Sequence, residues 1–284
     1  MTGQSTETRQ FRLQLFINNL NSFFCNKFAS IRAIAPSAIL KKTYLYYYPA
    51  ITPHFINNMA APADITVKNL NGQWVMDATL SSPTDPILAL QGVGWFLRKA
   101  LPYATVTLHI HEYADSANPK VYHIDVEQVI TGGITGSKEV RTLDWTAREH
   151  VDNIFGALSG KSRHFRGAKG EDGKVRPAVD VQTKVGNPED DAKVQKFLRG
   201  EVLADGSASD GFIIDEEGEE FGEGEGLFVQ SFVESKDNGW TAEQVWGFEL
   251  VNGERRHSRR VAVTKDGKLE LARLVYTFEA RRAE

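Results

Sequence analysis

A single cysteine, Cys25, stands in the 284 residues, so the chain can form no disulfide of its own. Barrel-sized secreted domains often carry such a staple, and its absence points to an intracellular setting. The expected compartment is the cytoplasm, or the mitochondrion if the N-terminal segment is a transit peptide. No apolar run reaches the roughly 18 residues that a membrane-spanning helix needs, so no transmembrane segment is expected. A net charge of −4, with no stripe of Lys and Arg interleaved with aromatics, argues against nucleic acid as a partner. No nucleophile elbow, phosphate loop or dinucleotide fingerprint occurs either, and no cofactor is expected.

The small net charge hides an asymmetry. Residues 1–58 carry six basic side chains and one acidic one, Glu7; of the totals of 33 and 37, this leaves 27 basic and 36 acidic residues in 59–284. The N-terminal stretch is rich in Asn, Phe, Tyr and Ile. Arg9, Arg12, Ser22, Lys27, Ser30 and Arg32 fit a transit peptide, whereas Tyr44, Tyr46, Tyr47 and Tyr48 do not. An upstream stretch joined ahead of a start at Met59, or a folded segment, are the other readings. Residues 1–62 are therefore treated as an extension, and 63–284 as the domain.

Within the domain, β-branched and aromatic residues alternate with polar ones at about 70–80, 105–113, 121–131, 138–146, 228–235, 243–251, 257–264 and 268–279. In 105–113, Val106, Leu108 and Ile110 share one face, with Thr107, His109 and His111 on the other. Asn252-Gly253 and Asp266-Gly267 are two-residue hairpin signals, and two consecutive hairpins imply an antiparallel meander. Short strands at this spacing predict an all-β fold, a closed barrel or a sandwich, and the meander favours an antiparallel barrel of about 8–10 strands. Residues 160–226 interrupt the pattern. Their first part is rich in Gly, Lys and Arg, 189–203 has the composition of a helix, and 201–226 carries ten acids and no base. That last stretch buries too little apolar surface to order itself and is expected to be a flexible loop. Its carboxylate spacing fits no EF-hand.

Leu70–Ile110 says most about function. A strand beginning at Gly72-x-Trp74 is followed by a helical piece whose apolar face holds Ile87, Leu88, Leu90, Val93, Trp95, Phe96 and Leu101, and then by Thr105–Ile110. This order, with the run Gly92-Val93-Gly94-Trp95-Phe96-Leu97-Arg98-Lys99, resembles the opening of intracellular fatty-acid-binding proteins. The final strand, 268–282, resembles their closing one. Through Gly132-Gly133-Ile134, Arg141–Trp145 and Trp240–Gln244, the domain also resembles fungal calycin-like proteins of unassigned function. The calycins are the wider set that includes the lipocalins. The resemblance implies a calycin-like barrel with a short helical lid, and a lipophilic small molecule bound inside it: a fatty acid, an isoprenoid or similar. The carboxylate-gripping Arg-x-Tyr of the fatty-acid-binding group has its nearest match in Arg273 and Tyr276. Three residues apart, they fall on opposite faces of a strand.

Binding of such a ligand is the main expectation. An isomerase or cyclase using the same cavity is the alternative, because a barrel can fold a substrate while a few polar groups act on it. Arg141, with Arg259 or Arg260, is the expected anion anchor, worth roughly 1.5–3 kcal/mol as a charge-assisted bond. The competing reading places these arginines on the outer face, paired with acids. Trp95 on the lid, Trp145, Trp246 and Tyr276 complete the expected ligand-binding set, while Trp74 is expected to plug the barrel as core. His109 and His111, with His123 or Asp125, have a spacing that metals use, but a strand histidine is more often a solvent-facing residue, and no metal is expected.

Overall fold

The computed structural model describes residues 60–214 and 221–282. All but the last three residues of the N-terminal extension lie outside the described residues, as do 215–220 of the acidic run.

Twelve strands form one antiparallel sheet. They are β1 Gly72–Met76, β2 Val106–Ala114, β3 Tyr122–Ile130, β4 Lys138–Thr142, β5 Arg148–Asp152, β6 Gly156–Lys169, β7 Val175–Pro177, β8 Phe212–Ile213, β9 Glu225–Ser235, β10 Thr241–Val251, β11 Glu254–Lys265 and β12 Lys268–Ala280. Their spatial order is β4-β3-β2-β1-β12-β11-β10-β9-β6-β5, with β7 beside β6 and β8 beside β10. The sheet curls so that its β4 end comes back against β6. Just past β4, Asp144 bridges to Arg163 of β6, and the Trp145 N–H donates to the Ser162 carbonyl at 2.8 Å.

Local chemistry accounts for the elements. In β2, Val106, Leu108, Ile110 and Glu112 are buried while His109 and Tyr113 are exposed, the period-two signature of a wall with one face inward. Asn252 and Asp266 adopt φ of 52° and 51°, each followed by a left-handed Gly, which is the type I′ geometry of tight hairpins. The two hairpins set β10, β11 and β12 in exact register from Thr241 to Lys268.

Strands β9, β10 and β11 are buried on both faces. Their inner faces line the barrel, and their outer faces lie under the 170–214 segment. That segment contains α3, Pro188–Leu198. Asn187 caps its start by accepting the Asp190 N–H at 2.9 Å, and Glu189, Asp190 and Asp191 complement the positive helix end. Val194, Phe197 and Leu198 of α3 pack on Phe212, Phe228, Val245 and Ala262, and each fully buried side chain of this size contributes roughly 1.5–3 kcal/mol. The expected insertion at 160–226 therefore differs in two ways. Its first ten residues belong to β6, and much of the rest is an ordered cover.

At one end of the barrel Trp74, wholly buried, donates its Nε1–H to the Leu70 carbonyl at 2.9 Å and meets Phe278, Phe248 and His257 ring to ring. The other end carries α1, Asp85–Leu90, whose Ile87 packs with Val261, Val263, Ala272 and Trp240. Next comes α2, Trp95–Ala100, which buries none of its residues.

Candidate active site

Alternation along the inner strands brings a polar cluster into the barrel interior, where the buried Glu112 and His164 also lie. In β11, His257 and Arg259 point inward. Arg259 stands opposite Trp246 of β10, and His257 opposite Tyr276 of β12. Ser231 of β9 stands opposite Ser162 of β6, and Glu139 and Arg141 of β4 face them across the seam.

Two guanidinium groups flank one indole. Arg259 lies 3.8 Å from the Trp246 ring centre and 5.4 Å from that of Tyr276, and Arg141 lies 5.3 Å from Trp246. Such cation–π contacts strengthen where water is excluded, and Trp246 is wholly buried. The Trp246 Nε1–H donates to Gln244 at 2.8 Å, which fixes the ring plane. Arg141 donates to Glu139 at 2.6 Å, to the Ser231 hydroxyl at 2.6 Å and more weakly to the Ser162 hydroxyl at 3.4 Å. Arg259 is differently placed. Its Nε–H makes a long contact of 3.5 Å to His257 Nε2, and its Nη2 has no hydrogen-bond partner, although Arg259 is only 4% exposed. A buried guanidinium with an unused donor is costly to keep.

Burial acts on His257, Tyr276 and Glu139. It drives the His257 pKa well below 6.5, with the Arg259 charge adding to the effect, so the imidazole is neutral. Its Nδ1 lies 3.2 Å from the Gly247 carbonyl. That contact requires the Nδ1–H tautomer and leaves Nε2 as the acceptor facing Arg259. Burial raises the Tyr276 hydroxyl and keeps it protonated, with Arg259 opposing. For Glu139, burial alone acts upward, but the charges of Arg141 and then Arg259 outweigh it and hold the carboxylate below its ordinary value. The neutral His257 has a consequence for stability. Its folded pKa is depressed, so its contribution is present above pH 6.5 and is lost as pH falls, by at most about 1.4 kcal/mol per unit. Between pH 7.5 and 5.5 the wild type is expected to lose about 1 kcal/mol more than His257→Gln in urea melts. Equal losses in the two proteins would show that His257 is not held neutral.

Of the expected ligand-binding residues, Arg141, Trp246, Arg259 and Tyr276 come together in the lumen. Three others require correction. Arg260, next to Arg259, points to the opposite sheet face by strand parity and pairs with Glu249 beneath α3. Trp145 does not share the face of Arg141, because β4 ends at Thr142 and Trp145 takes a left-handed φ of 60°. Its ring lies outside, with Lys161 at 4.4 Å and Arg163 at 4.3 Å. Trp95 is 57% exposed and packs edge-on against Phe96. The buried lid residues are Ile87 and Val93, so the inward apolar face is narrower than the sequence pattern implies. Arg273 faces outward to Glu249 at 3.2 Å, opposite in direction to Tyr276. His109 and His111 lie on the outer face of β2, and among the described residues no group of three His, Cys, Asp or Glu could hold a metal ion.

Sequence reasoning passed over Ser162, Ser231 and Gln244. Small polar residues carry no signal of their own, and only strand parity with Arg141 and Trp246 would have indicated them. Among the described residues, Lys161, Gln182, Phe232 and Glu234 line one open cleft of about 300 Å³, and Glu127, Val129, Lys138 and Asn153 line another of the same size. Neither includes a member of the arginine–tryptophan cluster. The chemistry favours the lumen, where charge is buried without full compensation, over these open grooves.

No protein-family model matches the chain. It is 26% identical over 219 residues to the probable pericyclase scpY of Mollisia scopiformis, covering 77% of this chain and 94% of that protein. It is likewise 26% identical over 227 residues to the pericyclase pydY of Acremonium sp, covering 79% of this chain and all of that protein. Among solved structures it matches fatty-acid-binding protein 1 of Echinococcus granulosus, at 11% identity and a TM-score of 0.37 over 73% of this chain and 96% of that one. It also matches the REP1-NXSQ fatty acid transporter, at 12% identity and a TM-score of 0.34 over 76% and 97%. The curated relatives overturn passive ligand binding as the main expectation, because proteins matched along nearly their whole length are named as enzymes.

Proposed function

We propose that this protein is a pericyclase, catalysing ring formation in a lipophilic, unsaturated small molecule held in the barrel lumen. The carrying observation is the match along 94% and 100% of two proteins named as pericyclases. This is the cyclase reading of the cavity rather than the carrier one, and the arrangement of the lumen suits it.

A pericyclic reaction moves electrons around one closed ring of atoms, so no atom enters or leaves and the product is an isomer of the substrate. The protein's share is geometry and electrostatics. Holding the two ends of a flexible chain about 3–3.5 Å apart converts lost entropy into rate. The apolar wall of Trp246, Tyr276, Val229 and Val261 supports a folded chain. The guanidinium groups of Arg259 and Arg141 are fixed donors for a carbonyl conjugated with the reacting π system. Drawing electron density toward that oxygen lowers the barrier, and fixed donors in a water-poor site do so without reorganising. Arg141 is held by Glu139 and Ser231 and Arg259 by Trp246 and His257, so neither has to search for its position.

The test is a mass-neutral conversion. Deleting the gene in its native host should cause an acyclic, more conjugated isomer of the normal product to accumulate. Purified full-length protein should then convert that compound to the product with no change in mass. An accumulated precursor of different mass, or an unaltered metabolite profile, would refute the assignment.

A further inference from the structure

We infer that the substrate carries a single negative charge spread over two oxygens in one plane, as in a carboxylate or an enolate, and that this head group docks on Arg259 and Arg141. The inference rests on the lumen being the reaction site, as proposed above, and names the class of molecule it takes.

The argument begins with charge. Arg176, Arg256, Arg259 and Arg260 are the arginines buried among the described residues. Three have a carboxylate: Arg176 pairs with Asp172, Arg256 with Glu254 and Arg260 with Glu249. No ion pair joins Arg259 to a carboxylate among the described residues. Around Trp246 the charged groups are Arg141, Arg259 and Glu139, and Glu139 is already engaged by Arg141; Glu112 and Arg255 also face inward, toward the Trp74 end, and are opposite in sign. His257 and Tyr276 are neutral. The cluster therefore holds one positive charge in excess, in a place where an isolated charge is heavily penalised.

A ligand with one negative charge removes that excess. A dianion such as a phosphate monoester would overshoot it, and a neutral head group would leave it standing. The plane of the charge follows from the donors. Arg259 lies against Trp246 at 3.8 Å, its Nη2 is unpartnered, and a planar guanidinium matches planar two-oxygen acceptors. Arg141, pinned to Ser231 and Glu139, sits beside the same indole and adds its charge to the same spot.

The probe is cis-parinaric acid, a fluorescent conjugated polyene carboxylate, against parinaryl alcohol, which has the same chain and no charge. With the full-length protein near pH 8, the carboxylate is expected to bind about tenfold tighter or more, the scale of one charge-assisted bond. Arg259→Met should reduce that preference to within about threefold, and Arg141→Met serves the same purpose if the first variant does not fold. Equal binding of acid and alcohol, or binding of neither, overturns the inference, as does a preference that survives both substitutions. A 1,3-diketone on the same chain, measured either side of its own ionisation, separates an enolate from a carboxylate head group. The outcome is independent of the gene-deletion experiment. Selective binding without mass-neutral conversion keeps the head group and loses the reaction, and conversion without selectivity does the reverse.

Discussion

Arg260→Met is expected to destabilise the fold by roughly 3–5 kcal/mol, the cost of stranding a buried partner charge. All five N–H donors of Arg260 are used. Nε and Nη2 donate to the two oxygens of Glu249 at 2.8 and 3.0 Å, Nη1 to the carbonyls of Phe197 and Val202, and Nη2 also to the Ser209 hydroxyl. Two of those acceptors lie at and just beyond the end of α3, so this side chain fastens the helical cover to the sheet and satisfies its last carbonyls. Glu249 is 1% exposed and would keep only Ser258 and Arg273. Removing both charges, as Arg260→Met with Glu249→Met, is expected to recover part of the loss, because no unpaired ion is then buried. Urea melts of the wild type and the two variants check this. An Arg260→Met protein within about 1 kcal/mol of wild type would show that the pair is not the fastening.

Arg259→Met is expected to lower kcat/KM by about 100-fold, equivalent to about 2.7 kcal/mol of lost transition-state stabilisation. The loss should fall on both kcat and KM. In the reaction proposed, the donor anchors the head group in the ground state and also withdraws density from the reacting π system as bonds form. A rise in KM with kcat untouched would reduce Arg259 to an anchor. The same substitution at Arg260 offers a control of a different kind. It should cost stability and leave the kcat of the folded fraction unchanged, because its contacts lie on the other side of the sheet.

Strand parity makes much of this site readable from the sequence. Counting in twos puts Glu139, Arg141 and Trp145 on one face, and His257 and Arg259 on one face of the next-to-last strand. The count failed at Trp145, where one left-handed residue after the strand end turned the ring outward. It failed to find β6 for another reason. The inward residues there are Gly160, Ser162 and His164, polar or absent side chains that serve a charged lumen, while the outward Lys161 and Arg163 look solvated. With neither face apolar, the strand read as a basic linker. The cover packed by α3 was equally hidden. The outer faces of β9–β11 are buried by a segment whose sequence is dominated by charge, and only Val194, Phe197 and Leu198 mark its contact side. Of the two neighbours expected beside Arg141, pairing with Trp246 puts Arg259 on the inner face and Arg260 on the outer one.

The pairing of β1 with β12 also governs when the protein comes into being. Met76 meets Tyr276, and Gln73 meets Ala280, so the join closes a loop of about two hundred residues. Contacts of such sequence separation form late and slowly. On a translating ribosome, β2 to β4 and the β9–β10 hairpin emerge earlier, and the strand carrying Tyr276 and Phe278 follows every other strand of the sheet. Until it docks, Trp74 and Arg259 lack a wall and the lumen does not exist. Until β12 docks the chain therefore has no enclosed interior, and the barrel closes in a single late event.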